Sequence, residues 1–287
     1  MKFLYSFMFA LVFSIGSKAE VFETKSTDNV EKGMSKNLTT ENQGNITTLW
    51  LENGDRHIYG ELFKPQGEIK GTAIVSHGFN GSYQYGRNYF DVMNDLGYQC
   101  YIFDFPCGSL GSRSDSNTLN MSILDEKSDV IAIVNYFKGQ DPEGEIVLVG
   151  ESQGGLVSAL AAEELGDNVN DLILVFPALC IPDNWRERYP TVNDIPEVTE
   201  LWGVKMGKRF FEEIHEMKPL EIIGEYPNPV LIIQGDKDNI VLMSDSEKAS
   251  KLYKDARLYV IPGAGHGFKP EEIKQQNEQI RNFLTEK

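Results

Sequence analysis

The chain has 287 residues, 41% of them hydrophobic and 24% charged, enough for one large soluble domain with a substantial core. A formal net charge of −16, with no Lys/Arg-rich cluster to override it, excludes nucleic acid and anionic membrane surfaces as natural partners, because both would repel it. The three cysteines, Cys100, Cys107 and Cys180, match neither a disulfide framework nor a zinc site. Each is expected to serve as a small buried hydrophobe, and one bridge is the most the set allows.

In chain order, Met1-Lys2, the apolar run "FLYSFMFALVFSIG" and the small residues Ser17 and Ala19 predict a signal peptide over 1–19. The run is shorter than the roughly twenty apolar residues of a membrane span. Export to a periplasm or to the exterior is therefore expected, with no membrane attachment after cleavage. Residues 20–45 are polar and aperiodic and are expected to be a mobile leader. Residues 46–287 read as a single domain.

That domain opens with "ITTLWLENGDRHIYGELFKP", apolar and polar residues alternating around Asn53-Gly54-Asp55, the pattern of an antiparallel hairpin. The apolar run "GTAIVSHGF" follows as a strand, then the helical spacing of "GRNYFDVMNDLG", stopped by Gly97. "YQCYIFDF" is a strand, "MSILDEKSDVIAIVNYFKG" a helix and "EIVLVG" a strand. Beyond Ser152 come the helix "QGGLVSALAAEEL" and the strand "DLILVFP". After a long break follow the strand "PVLIIQG", the helix "MSDSEKASKLY", the strand "ARLYVIPG" and the terminal helix "PEEIKQQNEQIRNFL". Strands alternate with helices, and several strands are apolar throughout. This predicts an α/β fold, a mostly parallel central sheet with helices on both faces.

In such a sheet, functional groups gather beyond the carboxyl ends of the strands. Four strand ends carry chemistry. The first leads into Ser76-His77-Gly78-Phe79-Asn80-Gly81, a glycine-rich corner with free amides. The second leads into Gly150-Glu151-Ser152-Gln153-Gly154, where a tight strand-to-helix turn would hold the serine hydroxyl exposed. The third leads into Asp236-Lys237-Asp238 and the fourth into Gly265-His266-Gly267. Acyl transfer needs this set. A serine hydroxyl is a weak nucleophile until a base takes its proton, and His266 is placed to do so. A carboxylate must orient the imidazole. Asp238 is the choice, with Asp236 a turn residue. The backbone amides of Phe79 and Gln153 would stabilise the oxyanion. Of the other histidines, His57 lies in the hairpin and His215 on a helix face, while His77 suits packing or hydrogen bonding in the corner. Asp104 ends a strand but precedes the serine, and is read as structural. No metal or organic cofactor is implied.

With the order Ser152, Asp238, His266, the chain from about residue 47 onward is similar to the α/β-hydrolases. Within them, "SHGFNGS", "LVGESQGG", "IIQGDKDNIV" and "IPGAGHGF" resemble the bacterial cinnamoyl (feruloyl) esterases. "FDFPCGSLGSRSD" differs from that group, which more often carries a histidine-bearing "GHG" turn there. The resemblance implies a serine carboxylic ester hydrolase, working through an acyl-enzyme on small-molecule or polysaccharide-linked esters of hydroxycinnamic acids. It also implies a small lid in the long segment after "DLILVFP", at about 178–220, whose polar groups hold the phenolic ring. By position the substrate-binding candidates are Asp183, Tyr189 and Asp194, with Trp185 to stack on the ring. A general short-chain acyl or acetyl esterase shares these features, and a prolyl-oligopeptidase-like peptidase shares the fold and triad order but usually carries a propeller or large extra domain. A non-catalytic ligand-binding relative is the alternative from another class, and the full triad and oxyanion corner argue against it. The oligomeric state is not written in the sequence.

Overall fold

The computed structural model describes residues 42–43 and 45–286. The signal peptide expected over 1–19 and most of the leader expected over 20–45 lie outside the described residues. The end of that leader is not a free tail, however. Asn42–Gln43 (β1) pairs antiparallel with Ile46–Asn53 (β2), Gln43 opposite Ile46. β2 turns through Gly54-Asp55 into Arg56–Phe63 (β3), as its alternation predicts, and Gly54 supplies the positive φ of 63° that a two-residue turn requires.

Gly71–Ser76 (β4), Phe90–Asp95 (α1), Tyr98–Phe103 (β5), Ile123–Gln140 (α2), Glu145–Glu151 (β6), Gln153–Leu165 (α3) and Asp171–Val175 (β7) follow. A 3₁₀ turn over Tyr83–Tyr89 replaces the first half of the helix expected before Gly97. An insertion then carries Ile181–Arg188 (α4), the hairpin Val198–Leu201 (β8) and Val204–Gly207 (β9), Lys208–Ile214 (α5) and Pro219–Ile222 (α6). Val230–Gly235 (β10), Met243–Leu252 (α7), Ala256–Ile261 (β11) and Pro270–Thr285 (α8) complete the chain.

Nine strands form one sheet in the order β1-β2-β3-β5-β4-β6-β7-β10-β11, antiparallel through β3 and parallel from β5 onward. The central strands read as unbroken apolar runs because each face has its own core. Ile74, Leu148, Leu174 and Ile232 pack on α2 and α3, while Val75, Val149, Ile173 and Ile233 pack with α1 and α8. Each such buried side chain contributes about 1.5–3 kcal/mol relative to exposure. The sheet order reverses at β4. There Ser76 lies level with Gly150, so the corner after β4 and the serine after β6 meet at the crevice where open α/β sheets bind ligands.

The insertion is anchored rather than draped. Phe210, Phe211 and Ile214 of α5 are buried in the main core, Arg209 makes paired bonds of 2.8 Å to Asp125, and Thr118 Oγ1 donates to the Lys205 carbonyl at 2.7 Å.

Candidate active site

Ser152 is the hinge between β6 and α3. Its backbone sits at φ 52°, ψ −117°, a strained conformation for a residue with a Cβ. Neighbouring backbone holds it there: the Ser152 N–H donates to the Val175 carbonyl at 3.0 Å, and the Ser152 carbonyl accepts from Gly155 and Ala178, both at 2.9 Å. The flanking glycines are demanded by close approach. A Cβ on Gly150 would stand 2.3 Å from the Gly154 oxygen, and one on Gly154 would stand 2.4 Å from the Ser76 oxygen.

The loop after β11 brings His266 to this corner, with its ring against Phe176 at a centroid separation of 4.8 Å. Its Nε2 lies 3.0 Å from Ser152 Oγ and its Nδ1 2.8 Å from Asp238 Oδ2. Asp238 is held in turn by the N–H groups of Ile240 and Val241, each donating to Oδ1 at 2.9 Å, and by Gln234 Nε2 donating to Oδ2 at 3.0 Å. Burial pushes the Asp238 carboxyl up. The bonds from His266 and the two backbone amides outweigh it, and the carboxyl lies below its ordinary value. Asp236 stands apart, accepting the Gly263 N–H at 2.6 Å and so tying the β10 and β11 turns together.

The corner after β4 closes over the serine: a Cβ on Gly78 would come within 3.0 Å of Ser152 Cβ. His77 locks this corner. Its Nε2 accepts the Phe105 N–H at 3.1 Å, which leaves Nδ1 to donate to the Gly78 carbonyl at 2.7 Å. Burial lowers its pKa and keeps the ring neutral. Asp104 is structural here, accepting the N–H groups of Tyr83 and Arg113. Gln153 opens α3, so its N–H has no carbonyl to meet within the helix. Its buried side chain donates to both oxygens of Glu126 at 3.0 and 2.9 Å.

Burial pushes the Glu126 carboxyl up to about 8, against the bond from Gln153. The folded protein therefore keeps this proton to about pH 8, whereas the unfolded chain releases it near 4.5. Between those values the folded state binds more protons, and stability falls as pH rises. Glu126→Gln keeps an acceptor for Gln153 and removes the titration. Relative to wild type, the variant is expected to gain about 1 kcal/mol or more from pH 5 to pH 8, roughly 2–4 °C in Tm. A Tm difference that stays constant across that range would contradict this.

Two chambers meet at Ser152. One, of about 290 Å³, lies under the insertion and is walled by Trp185, Trp202, Phe210 and Phe79. The other, of about 300 Å³, is lined by His266, Glu151, Asn88 and Gln276. Of the residues expected to bind substrate, Trp185 reaches the first chamber and three do not. Asp183 points outward and pairs with Arg186. The Tyr189 hydroxyl is bonded to Thr199 Oγ1 at 2.9 Å, and Asp194 caps the turn at Thr191. The chamber instead takes Ile181, Asn184, Trp185 and Arg188. These are one face of α4 at helical spacing, a signal open to any reading that had placed a helix there. Cys180 also departs from expectation: Cys100 and Cys107 are buried, but Cys180 is half-buried and lines this chamber. Glu151 and Glu126 carried no sequence signal.

Known proteins are similar to this chain in sequence and fold. A family model described as serine aminopeptidase, S33, matches residues 67–216, more than half of the chain. A solved structure of Est1E from Butyrivibrio proteoclasticus with ferulic acid bound is similar at a TM-score of 0.76 and 25% identity, over 83% of this chain and 98% of that one. Alpha/beta hydrolase domain-containing protein 10 from mouse shares the fold at a TM-score of 0.68 and 19% identity, over 83% of this chain and 98% of that one. The uncharacterized protein YqkD of Bacillus subtilis (strain 168) is 25% identical over 68% of this chain. The match spans 64% of that relative's length.

Proposed function

This chain belongs to the serine aminopeptidase, S33, family of hydrolases, and we propose that it is a serine esterase that cleaves hydroxycinnamoyl esters through an acyl-enzyme. The observation that carries the proposal is the relay from Ser152 to His266 to Asp238, opening on a chamber walled by aromatic rings. Ser152 Oγ attacks the ester carbonyl as His266 Nε2 takes its proton, and Asp238 holds Nδ1–H and balances the imidazolium. The amides of Gln153 and Phe79 receive the oxyanion. The alcohol leaves with the proton from His266, and water then repeats the sequence to free the acid.

An aminopeptidase would have to hold the ammonium group of its acyl residue. Among the described residues, no acidic side chain lines the chamber under the insertion, and Arg188 would repel a cation there. A flat apolar acyl group with a polar substituent suits it better. The likeness to a protein with ferulic acid bound supports the same reading. Asn184 and Arg188 take the part expected of Asp183 and Tyr189, as partners for the ring substituents. Asn184→Ala and Arg188→Ala are each expected to lower kcat/KM for methyl ferulate by about one to two decades relative to 4-nitrophenyl acetate. A wild type that prefers the acetate, or variants that slow both esters alike, would reduce the insertion to a shield.

A further inference from the structure

The two chambers at Ser152 differ in charge. Arg188 is the charged residue lining the one under the insertion, whereas Glu151 lines the other together with His266. His266 hands its proton to the departing oxygen. On the esterase reading above, the alcohol half of the substrate therefore lies beside the imidazole, in the chamber that holds Glu151.

Glu151 directly precedes the nucleophile, and its carboxyl is tied at one oxygen. The Tyr89 hydroxyl donates to Oε1 at 2.6 Å, while no hydrogen bond from the described residues reaches Oε2. Burial raises the pKa of Tyr89 well above its ordinary value, so this hydroxyl stays a donor. Burial also lifts the Glu151 carboxyl to about 7, against the bond from Tyr89 and the attraction of positive charge on His266. Tyr89 and His266 are the titratable groups that face it. Gln276 of α8, which bonds to the Tyr89 hydroxyl, carries no charge. A cation placed beside such a carboxyl favours its ionised form.

The walls suit a cation as well. Tyr85 and Trp202 line this chamber and are 58% and 68% exposed, and Phe176 and Phe268 meet edge-on within it at 4.9 Å. Aromatic faces attract an ammonium group through the ring quadrupole, an attraction that a hydrocarbon of the same shape does not share. The formal net charge of −16 enriches cations around the molecule.

We propose that the chamber beside His266 takes a cationic leaving group, an amino alcohol whose ammonium is held by the Glu151 carboxylate and the aromatic rings around it. The step balances without a co-reactant. The acyl C–O bond breaks as the bond to Ser152 Oγ forms, and the serine proton leaves on the alcohol oxygen by way of His266. The ammonium keeps its charge throughout, and Glu151 offsets its repulsion with the imidazolium.

The test compares two esters of one shape, the choline ester and the 3,3-dimethylbutyl ester, in which carbon replaces the charged nitrogen. kcat/KM is measured for the pair as ferulates and as acetates. The choline ester is expected to be preferred in both series. Glu151→Gln, which keeps an acceptor for Tyr89, is expected to lower the choline-to-dimethylbutyl ratio by about five- to tenfold. The two alcohols differ in acidity as leaving groups, but that difference is the same in both proteins. In the wild type the ratio is expected to rise about threefold or more from pH 6 to pH 8 as Glu151 ionises. Protonation of His266 slows both esters alike and cancels. The pH series needs no variant, so it decides even where Glu151→Gln fails to fold. A wild type that prefers the dimethylbutyl ester, a ratio flat across this pH range, or one that folded Glu151→Gln leaves unchanged overturns the proposal. Failure of the hydroxycinnamoyl reading is separable, because the preference for the charged ester then persists among the acetates.

Discussion

Ser152→Ala is expected to lower kcat for 4-nitrophenyl acetate by about four to six orders of magnitude while leaving the fold in place. The loss is large because the relay acts as a unit: without Oγ, His266 and Asp238 have no nucleophile to activate. The residue left should be the catalysis that the oxyanion amides alone give a water molecule. The fold should hold because the strain at φ 52° is carried by backbone bonds to Val175, Gly155 and Ala178, which alanine keeps. A serine-directed phosphonate is expected to add its mass to the wild type on Ser152 and not to label the variant. Turnover near the wild-type level, or labelling at another residue, would place the nucleophile elsewhere.

What was legible in the sequence is what local chemistry dictates. The parallel sheet shows because β4, β6, β7 and β10 are buried on both faces and must be apolar throughout. Ser152, Asp238 and His266 show because each follows the carboxyl end of a strand, among glycines or turn formers. The insertion hides its chemistry for a physical reason. Its elements are four to eight residues long, too short for periodicity to declare itself. One ring also does two jobs: Trp185 packs on Phe211 at 4.6 Å and walls the chamber as well. On α4 a step of one residue turns the side chain by about 100°, which separates Asp183 in solvent from Asn184 in the chamber. Composition finds the acids but cannot tell which way they face. Trp202-Gly203 was a missed signal of another kind. Positive φ at both residues makes the hairpin turn that hangs Trp202 6.0 Å from Phe79, at the border of the two chambers.

The two acids after β10 should separate sharply under the same conservative change. Asp238 has a fully buried side chain and accepts four hydrogen bonds, two at each oxygen, every one of them from a donor. An asparagine has one acceptor end. If that end serves Ile240 and Val241, its NH₂ faces His266 Nδ1 and drives the proton to Nε2. The imidazole is then in the tautomer that cannot accept from Ser152. If it serves His266 instead, the NH₂ faces two backbone N–H groups at a cost of about 1–3 kcal/mol for each donor left unpaired. Asp238→Asn is therefore expected to lower kcat/KM for a short-chain ester by about four orders of magnitude. Asp236 has a side chain 34% exposed and one close bond, from the Gly263 N–H to Oδ1, which an asparagine oxygen accepts equally well. Asp236→Asn should stay within about tenfold of wild type, through a small loosening of the turn below His266. The pH dependence of stability provides a second readout. The lowered Asp238 pKa stabilises the folded protein above the unfolded-state value near 3.8, and that contribution fades as pH falls through the folded value. Asp238→Asn should remove this acid-side slope and Asp236→Asn should keep it. Losses in the opposite order would make Asp236 the acid that orients His266.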